Sequence, residues 1–528
     1  MEKQVLGQSN AFSIDTAYSA RKPEEILPQE LIDERARTNR RVLSLPAALD
    51  LAVRSSRTYQ AEKEKLFLTA LSLTGERYNF GPQFTAGADG RYMRDSNGEQ
   101  SGTVHSQVGV GQLLKSGGQL GLNLANDLLR YYTGDPRRSA VSAVSVNLVQ
   151  PLLRGFGRNN PAVEALTQAE RNVVYAIRSF SYFQDQFALS IANDYFSLLT
   201  QKDTVRNEYA NYLSRMTNTV RLEARKDRES RSGVDQARQA ELTAKNGYVN
   251  AVAGYFNSLD TFKLKLGLPL GERLYLDDGV LKEIEAAGPT PVLLPTDRAY
   301  EVAVTRHLNV LNEIDRFEDS KRKIRVARDR LRADLNLVAD ASLQSDAPVD
   351  YTKFDPNAWR GGVGLELNLP LDRLRERNVY RSTLISFESE LRNLTLTLDS
   401  LQDNIDRGVR TLQQRYQNYV IQTNALVLAR DRVASTTMLQ QAGRAEVRDM
   451  LDAQDALIAA QNSVTVALIS YLNARLQLLL DIGLLQTSIE KFWLQDPLPA
   501  HFDALQAKDT QLDLPRGQLI PPDELFSR

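Results

Sequence analysis

The chain has 528 residues and balances 65 lysines and arginines against 66 aspartates and glutamates, giving a net charge of -1. Bulk affinity for nucleic acid is not expected, because phosphate binding needs a basic surplus or a basic face. Without cysteine the chain can form no disulfide, thiolate zinc site or iron–sulfur cluster. The three histidines, His105, His307 and His501, are too far apart in sequence to predict a metal or acid–base centre. We expect no enzyme activity and no cofactor or metal.

Membrane helices are not predicted, because no stretch approaches the roughly eighteen consecutive apolar residues that such a helix needs. Membrane β-strands remain possible, since they need only about ten residues of alternating character. The first six residues lack an apolar targeting core, which indicates either a cytosolic protein or a sequence written without its signal peptide.

The predicted segments follow one another in two similar halves. In chain order they are an irregular N-terminal extension (1–42), a helix (43–80), strands with a loop (81–153), a long helix pair with its tip (154–270), a linker (271–294), a second helix (295–333), further strands (334–371), a second long helix pair with its tip (372–490) and a proline-rich tail (491–528).

Internal duplication is indicated by residues that recur at a constant shift of 216 positions. Six residues of the first half recur in this way in the second: Asn246, Ala251, Tyr255, Asn257, Gly267 and Leu268 match Asn462, Ala467, Tyr471, Asn473, Gly483 and Leu484.

Four strands are predicted from alternation of apolar and polar residues. They are centred on Phe84–Tyr92, Val144–Leu148, Leu335–Leu343 and Val363–Leu369. The glycine-rich stretch 98–134 has a partial alternation of its own, which fits either a surface loop or an extra hairpin.

Long helices follow each strand region, with apolar residues spaced alternately three and four apart, as in a coiled-coil seam. In the first half the seam runs from Leu166 to Phe187 and in the second from Leu384 to Ile405. The first helix is free of proline and glycine from Ala162 to Ser232, which at about 1.5 Å per residue predicts a length on the order of 100 Å.

Four amphipathic strands cannot close a barrel, because the smallest membrane barrels have about eight. An open sheet would leave both edges and an apolar face exposed. We therefore expect closure by other copies of the chain, three of which would supply twelve strands, with polar side chains such as Ser145, Asn147, Glu366 and Asn368 on the inside. A tube of this kind suits conduction.

The chain resembles the TolC-like outer-membrane efflux proteins in the segment Ser145–Leu152, in its duplicated halves and in Asp449–Ala453 at the head of the last long helix. The resemblance covers about Leu43 to Leu485. It implies a mixed, mainly α fold in which long antiparallel coiled-coil helices form an α-barrel. Each chain would add four strands to a trimeric, twelve-stranded transmembrane β-barrel, with Gln150, Pro151, Leu152, Pro370 and Leu371 at the strand-to-helix junctions.

The same resemblance implies a pore constriction gated by Asp449 and Asp452, whose alternative role is that of a solvated helix start. The gate-latch tyrosine and arginine of the family fall at Gln440 and Ala445, and the partner aspartate falls at Gly233. Arg444 and Arg448 are the substitutes available nearby. The helix tips that dock a periplasmic adaptor in the family correspond to Gly233, Val234, Gly443 and Arg444, and the two glycines also fit plain turns between helices.

The function implied is that of a homotrimeric channel-tunnel in the outer membrane of a Gram-negative bacterium. It would export solutes across the periplasm together with a periplasmic adaptor and an inner-membrane pump, and it would contact outer-membrane lipid but no nucleic acid. The alternative is an elongated coiled-coil scaffold without a pore, and extraction from membranes distinguishes the two.

Overall fold

The computed structural model describes residues 28–36, 40–133, 138–224, 231–289, 294–345, 352–369, 371–442, 444–489 and 491–495. These residues belong to two compact units. The first contains Arg57–Phe183 and Leu308–Ser400, and the second contains Pro28–Ser56, Gln184–His307 and the chain from Leu401 onward. The proline-rich tail predicted beyond Gln495 lies outside the described residues.

Ten α-helices are present in the described part of the chain. They are α1 (Pro28–Ala36), α2 (Leu45–Ser55), α3 (Arg57–Tyr78), α4 (Pro161–Ala224), α5 (Arg231–Leu266), α6 (Gly279–Ala287), α7 (Thr296–Arg306), α8 (Leu308–Asp329), α9 (Leu374–Gln441) and α10 (Val447–Ile482).

Six strands of the first unit form one antiparallel sheet, so the prediction of four was wrong. They are β2 (Gln83–Arg94), β3 (Gln100–Leu113), β4 (Gln119–Tyr131), β5 (Arg138–Pro151), β7 (Asp334–Gln344) and β8 (Arg360–Asn368), and they are hydrogen-bonded in that order. The four predicted strands are present as β2, β5, β7 and β8. The stretch 98–134 supplies the other two as a hairpin, so the halves of the chain differ in strand number.

One face of this sheet is mainly apolar, although Ser106, Asn126 and Ser142 form one polar row on it. A row of directly opposed residues crosses all six strands through Phe84, Val110, Leu122, Val146, Ala341 and Gly361. A second row on the other face crosses five strands through Thr85, Gly109, Asn123, Ser145 and Ser342. The predicted alternation of an apolar and a polar face therefore holds, and it extends through the added hairpin.

Two segments predicted to be irregular contain regular structure in the second unit. The N-terminal extension includes α1 and a short strand, β1 (Arg40–Leu43), which pairs in parallel with β6 (Arg273–Leu276) of the predicted linker. Tyr195 of α4 holds this pair in place, since its hydroxyl donates to Leu43 O at 3.0 Å and to Asp277 O at 2.9 Å.

The helix predictions need three corrections. The predicted second helix at 295–333 is broken at His307 into α7 and α8. The predicted helix at 43–80 is broken at Ser56 into α2 and α3. The predicted helix from Ala162 to Ser232 is described as α4 up to Ala224 and as a separate helix, α5, from Arg231, and residues 225–230 lie outside the described residues. The resulting 64-residue α4 still extends about 96 Å at the rise of an α-helix.

The predicted coiled-coil seam is buried in α4 but open along part of α9. Ala169 and Val173 of α4 form a buried cluster with Leu73 of α3. On α9, in contrast, Leu391 is 46% exposed while Ile405, farther along the seam, is fully buried. Leu384, Phe387, Leu394 and Leu398 of the same seam are half-buried, so this part of α9 is an apolar stripe that the described residues cover only in part.

Among the described helices, α10 is long and apolar enough to cross a membrane by composition, which the sequence analysis did not anticipate. However, 61% of its most apolar window is buried inside the chain. Burial of this extent is typical of a core helix rather than a lipid-facing one.

A buried carboxylate ties α4 to α8 in the first unit. Asp319, whose side chain is 3% exposed, accepts hydrogen bonds from Tyr175 Oη at 2.6 Å and Gln168 Nε2 at 3.1 Å. It also pairs with Arg322 at 3.0 Å and with Arg171. Burial, together with the hydrogen bond to Asp319, raises the pKa of Tyr175 to about 12.

Replacing Asp319 with alanine is expected to cost about 2–4 kcal/mol, because it leaves a buried hydroxyl and two partly buried guanidinium groups without their shared partner. Thermal unfolding followed by circular dichroism measures the loss. The adjacent Glu318 is the control: its side chain is 55% exposed and pairs with the exposed Lys321, so Glu318→Ala should cost less than about 1 kcal/mol. Equal effects of the two substitutions would contradict the assignment.

Candidate functional site: the carboxylates at the start of the last helix

Helix α10 begins with a reciprocal capping box that uses one of the two predicted gate aspartates. The N-cap residue, Glu446, is extended, with φ -79° and ψ 158°, and its side chain accepts the backbone N–H of Asp449. The Asp449 carboxylate in turn accepts the backbone N–H of Glu446 at 3.2 Å. The arrangement satisfies two N–H groups that the helix itself cannot pair. Asp449 therefore has the structural role that the sequence analysis gave as its alternative.

Three carboxylates of α10 share one exposed side of the helix. Asp449, Asp452 and Asp455 are spaced three residues apart and are all exposed. The residues between them that face the chain interior are buried: Met450, Leu451, Ala453 and Gln454. The packing of α10 thus fixes which side carries the negative charge, and it adds Asp455, which was not predicted, to the two predicted aspartates.

Of the two predicted latch arginines, only Arg448 is near a gate carboxylate. Its Nε lies 4.0 Å from Asp452 Oδ2, and both side chains are more than half exposed. Arg444 lies in the connection between α9 and α10, where its backbone N–H donates to Leu439 O at 2.8 Å. Within the described residues its side chain makes no ion pair. Exposed pairs of this kind contribute about 0–1 kcal/mol.

The arginine best placed to hold α10 is Arg215 of α4, which sequence analysis missed. Its side chain is 2% exposed, and its Nη2 lies 2.5 Å from Asp455 Oδ1 and 3.2 Å from Leu451 O. Burial lowers the pKa of Arg215 more than the charges of Asp455 and Asp452 raise it. An arginine remains protonated under such conditions, so the contact is a charged one.

The neighbours of Arg215 fix its position. Its Nε donates to Asn211 Oδ1 at 3.3 Å, and its carbonyl accepts from Thr219 Oγ1 at 3.1 Å. Thr219 also donates to Ala237 O of α5 at 3.2 Å. Arg215 is therefore held by α4 and α5 together, and it reaches α10 from a rigid base.

Helices α4 and α10 also meet through three further side-chain hydrogen bonds, of which the one between Gln454 and Ser214 lies beside Arg215 and Asp455. Thr465 donates to Asp203 at 3.2 Å, Asn207 to Asn462 at 2.8 Å and Gln454 to Ser214 at 3.4 Å. Three buried amide atoms beside them have no hydrogen-bond partner: Gln201 Oε1, Asn218 Nδ2 and Gln454 Oε1. Unsatisfied buried groups cost free energy, so this helix interface is held less firmly than a fully paired one.

The structure places the remaining predicted residues as follows. Gly233 is the third residue of α5 and is buried, so it does not form the turn between helices, and Val234 beside it is half-buried. Gly443 and Pro370 lie outside the described residues. Pro151 is the last residue of β5, and Leu371 beyond β8 is fully exposed.

At the first strand-to-helix junction, Gln150 and Leu152 join neighbouring elements of the first unit. Gln150 Nε2 donates to Ser116 O at 3.2 Å, and Leu152 N donates to Leu335 O at 2.8 Å. The junction is therefore hydrogen-bonded both to the turn between β3 and β4 and to β7.

The polar face of the sheet carries charged side chains toward the end that lies opposite the helices. His105 Nδ1 faces the Asp127 carboxylate on the neighbouring strand, and Asp89 lies opposite His105 on the other side. No group of three or more metal-ligating side chains was found among the described residues.

No protein-family model matches the sequence, and no curated protein is similar to it in sequence. Solved structures do match the fold. CusC, crystallised in studies of transmembrane channel formation, is 11% identical, with a TM-score of 0.62 over 83% of this chain and 92% of its own. The outer-membrane protein VceC of Vibrio cholerae is 15% identical, with a TM-score of 0.61 over 83% and 96%. The outer-membrane channel CmeC of Campylobacter jejuni is 12% identical, with a TM-score of 0.61 over 83% and 85%. The mainly α fold with an antiparallel sheet that the resemblance to the TolC-like proteins implies is thereby confirmed, whereas the four strands per chain are not, because the sheet has six.

Proposed function

We propose that this chain, which has the fold of TolC-like outer-membrane channels, is the subunit of an outer-membrane channel that passes solutes out of the cell. The observation that carries the proposal is the six-stranded sheet, apolar on one face and polar on the other, joined to helices of 64 and 68 residues. An apolar face that the chain leaves exposed suits lipid, and a polar opposite face suits a water-filled lumen. The proteins of this fold compared above are channels or membrane proteins rather than enzymes.

The proposed assembly is a homotrimer. Closure by several copies follows from the open edges of the sheet, which cannot remain unpaired in lipid. The apolar stripe of α9 that includes Leu391 would also be covered by a neighbouring copy. The number three, the periplasmic adaptor and the inner-membrane pump come from the resemblance to the family.

The proposed constriction is lined by Asp449, Asp452 and Asp455 of α10, with Arg215 rather than Arg444 holding the closed position. Three copies would bring together rings of carboxylates, which concentrate cations and repel anions. The helix tips near Gly233 and Arg444 remain the proposed contact with the adaptor.

The double substitution Asp449→Asn, Asp452→Asn tests the constriction. Asparagine keeps an oxygen that can accept the Glu446 N–H, so the charge is removed while the capping geometry is preserved. We expect the cation-over-anion permeability ratio, measured by reversal potential in a KCl gradient, to fall by about tenfold.

The matched control removes two exposed carboxylates from α9, Asp399→Asn and Asp403→Asn. It should leave the permeability ratio near that of the unaltered protein. If the double α10 variant has unchanged selectivity, these aspartates do not line the constriction, and the proposed channel function is not affected. A protein that is not extracted with membranes and does not conduct would favour the coiled-coil scaffold instead.

A further inference from the structure

The hairpin formed by β3 and β4 is part of the sheet itself. β3 pairs with β2 along the whole of β2, and β4 pairs with β5 along most of both strands. The turn that joins them lies at the end of the sheet where the helices attach. There Gly157 N donates to Ser116 O at 2.8 Å, and Ser116 Oγ donates to Gln150 Oε1 at 2.7 Å. The hairpin therefore runs the full height of the sheet.

The hairpin also carries the two faces of a membrane-spanning wall. On its apolar face the exposed fraction lies between 39% and 55% for Val104, Val108, Leu120, Leu122, Leu124 and Leu128. The opposite face carries Gln107, Asn123 and Asp127. With 14 and 13 residues, β3 and β4 exceed the roughly 9–11 residues that a tilted strand needs to span a bilayer.

The two edges of the sheet are complementary. All nine residues of β8 are exposed, as are all but the first residue of β2. Because successive strands are antiparallel and their number is even, β2 and β8 run in opposite directions. β8 of one copy can therefore pair with β2 of the next in the same antiparallel pattern, and the ring can continue with a mainly apolar face on one side.

We propose that three copies of this chain close a barrel of eighteen strands through contacts between β8 and β2. The proposal rests on the channel function proposed above. Since barrel diameter grows roughly linearly with strand number, the lumen would be about half as wide again as that of the twelve-stranded barrel implied by the resemblance. Barrels of about 16–18 strands enclose an aqueous channel. The membrane part would therefore admit bulky hydrated solutes such as polymers, and it would not set the size limit for cargo.

Disulfide cross-linking tests the contact, because the chain has no cysteine of its own. Gly87→Cys on the polar face of β2 is combined in turn with Gly362→Cys, Gly364→Cys or Glu366→Cys on the polar face of β8. We expect oxidation of at least one pair to give a product of three chains, about 178 kDa from three chains of 59.2 kDa.

The matched control replaces Gly87→Cys with Asn123→Cys on β4, which is paired on both sides within its own chain and should give no product between chains. A product that stops at two chains would mean a twelve-stranded barrel and would overturn the proposal. Cross-links confined to single chains, or equal products from the control, would also overturn it.

Deletion of residues 100–131 tests the width of the proposed barrel. It removes β3 and β4 and leaves β2 and β5 joined at the end of the sheet opposite the helices. Phe84 and Val146 would then be opposed on the same apolar row that they already share. In planar bilayers, with polyethylene glycols of graded size added on the outer side, the largest polymer that enters should be smaller for the deletion variant.

Two conducting forms with the same polymer cut-off would overturn the eighteen-stranded barrel and leave the proposed channel function intact. If the full chain does not conduct at all, the channel function fails, and the three-chain cross-link still decides how the sheets associate. If the deletion variant does not fold, the cross-links and the largest polymer that enters the channel of the full chain test the proposal instead.

Discussion

Replacing Arg215 with alanine should raise the ratio of open to closed channels by about tenfold or more. The substitution removes a charged hydrogen bond to Asp455 and one to Leu451 O. Bonds of this kind contribute about 1.5–3 kcal/mol, and each 1.4 kcal/mol is a factor of ten. It also removes the packing of a buried side-chain stem. Helix α10 would then be held to α4 mainly by the other side-chain hydrogen bonds between these two helices. Single-channel open probability measures the result.

Arg448→Ala is the matched control for Arg215→Ala. Both variants lose one arginine beside a carboxylate of α10, but Arg448 is 75% exposed and lies 4.0 Å from Asp452. An exposed pair contributes at most about 1 kcal/mol, so the open-to-closed ratio should change less than about fivefold. Arg215→Ala with unaltered gating, in a protein that still melts as a folded one, would show that Arg215 is a packing residue and not a latch.

Gly267→Ala should destabilise the second unit by about 2–5 kcal/mol, which is the sum of backbone strain and overpacking. Gly267 ends α5 with φ +78°, and a Cβ built there would lie 2.1 Å from Ser55 O at the end of α2. A backbone oxygen cannot move aside as a flexible side chain can. Thermal unfolding followed by circular dichroism measures the loss.

Two other glycines calibrate this result. The backbone of Gly98 has φ +81°, and no atom lies within 4 Å of a methyl group added there. Gly98→Ala should therefore cost only the strain of a left-handed backbone, about 1–2 kcal/mol. Gly483, which the predicted duplication matches to Gly267, also has φ +78°, and its added Cβ would lie 3.0 Å from Arg306 C and His307 N. Gly483→Ala should therefore fall between the other two. Gly267→Ala and Gly98→Ala with equal melting temperatures would contradict the steric account.

The four strands predicted from sequence were found because each alternates without interruption, as in Leu335–Leu343. The hairpin of β3 and β4 left two interpretations open, and its glycines are the reason. Gly109 lies beneath the side chain of Asn123, and Gly121 beneath that of Asn147, with a virtual Cβ only 2.3 Å from the amide oxygen in each case. Packing against the neighbouring strand requires glycine at these positions. The periodicity of a single segment carries no information about such contacts.

The helical gate region was only partly predictable for a similar reason. Asp449 and Asp452 were identified from a family resemblance, and the latch arginines were chosen because they are near in sequence. Arg215 is more than two hundred residues away and is buried only because α10 packs over it. One signal was present: continuing the three-and-four spacing of the α4 seam past Phe187 reaches Asn211 and Arg215. Polar residues on a seam indicate a specific contact between helices.

Single-channel recording of the detergent-purified full chain in planar bilayers tests the central claim most directly. We expect discrete conductance steps that are cation-selective and small at rest, because the proposal places the aspartates of α10 at a closed constriction. Arg215→Ala should convert the small steps to larger ones. A protein that inserts into no bilayer and gives no conductance steps, although its circular dichroism shows it to be folded, would contradict the channel.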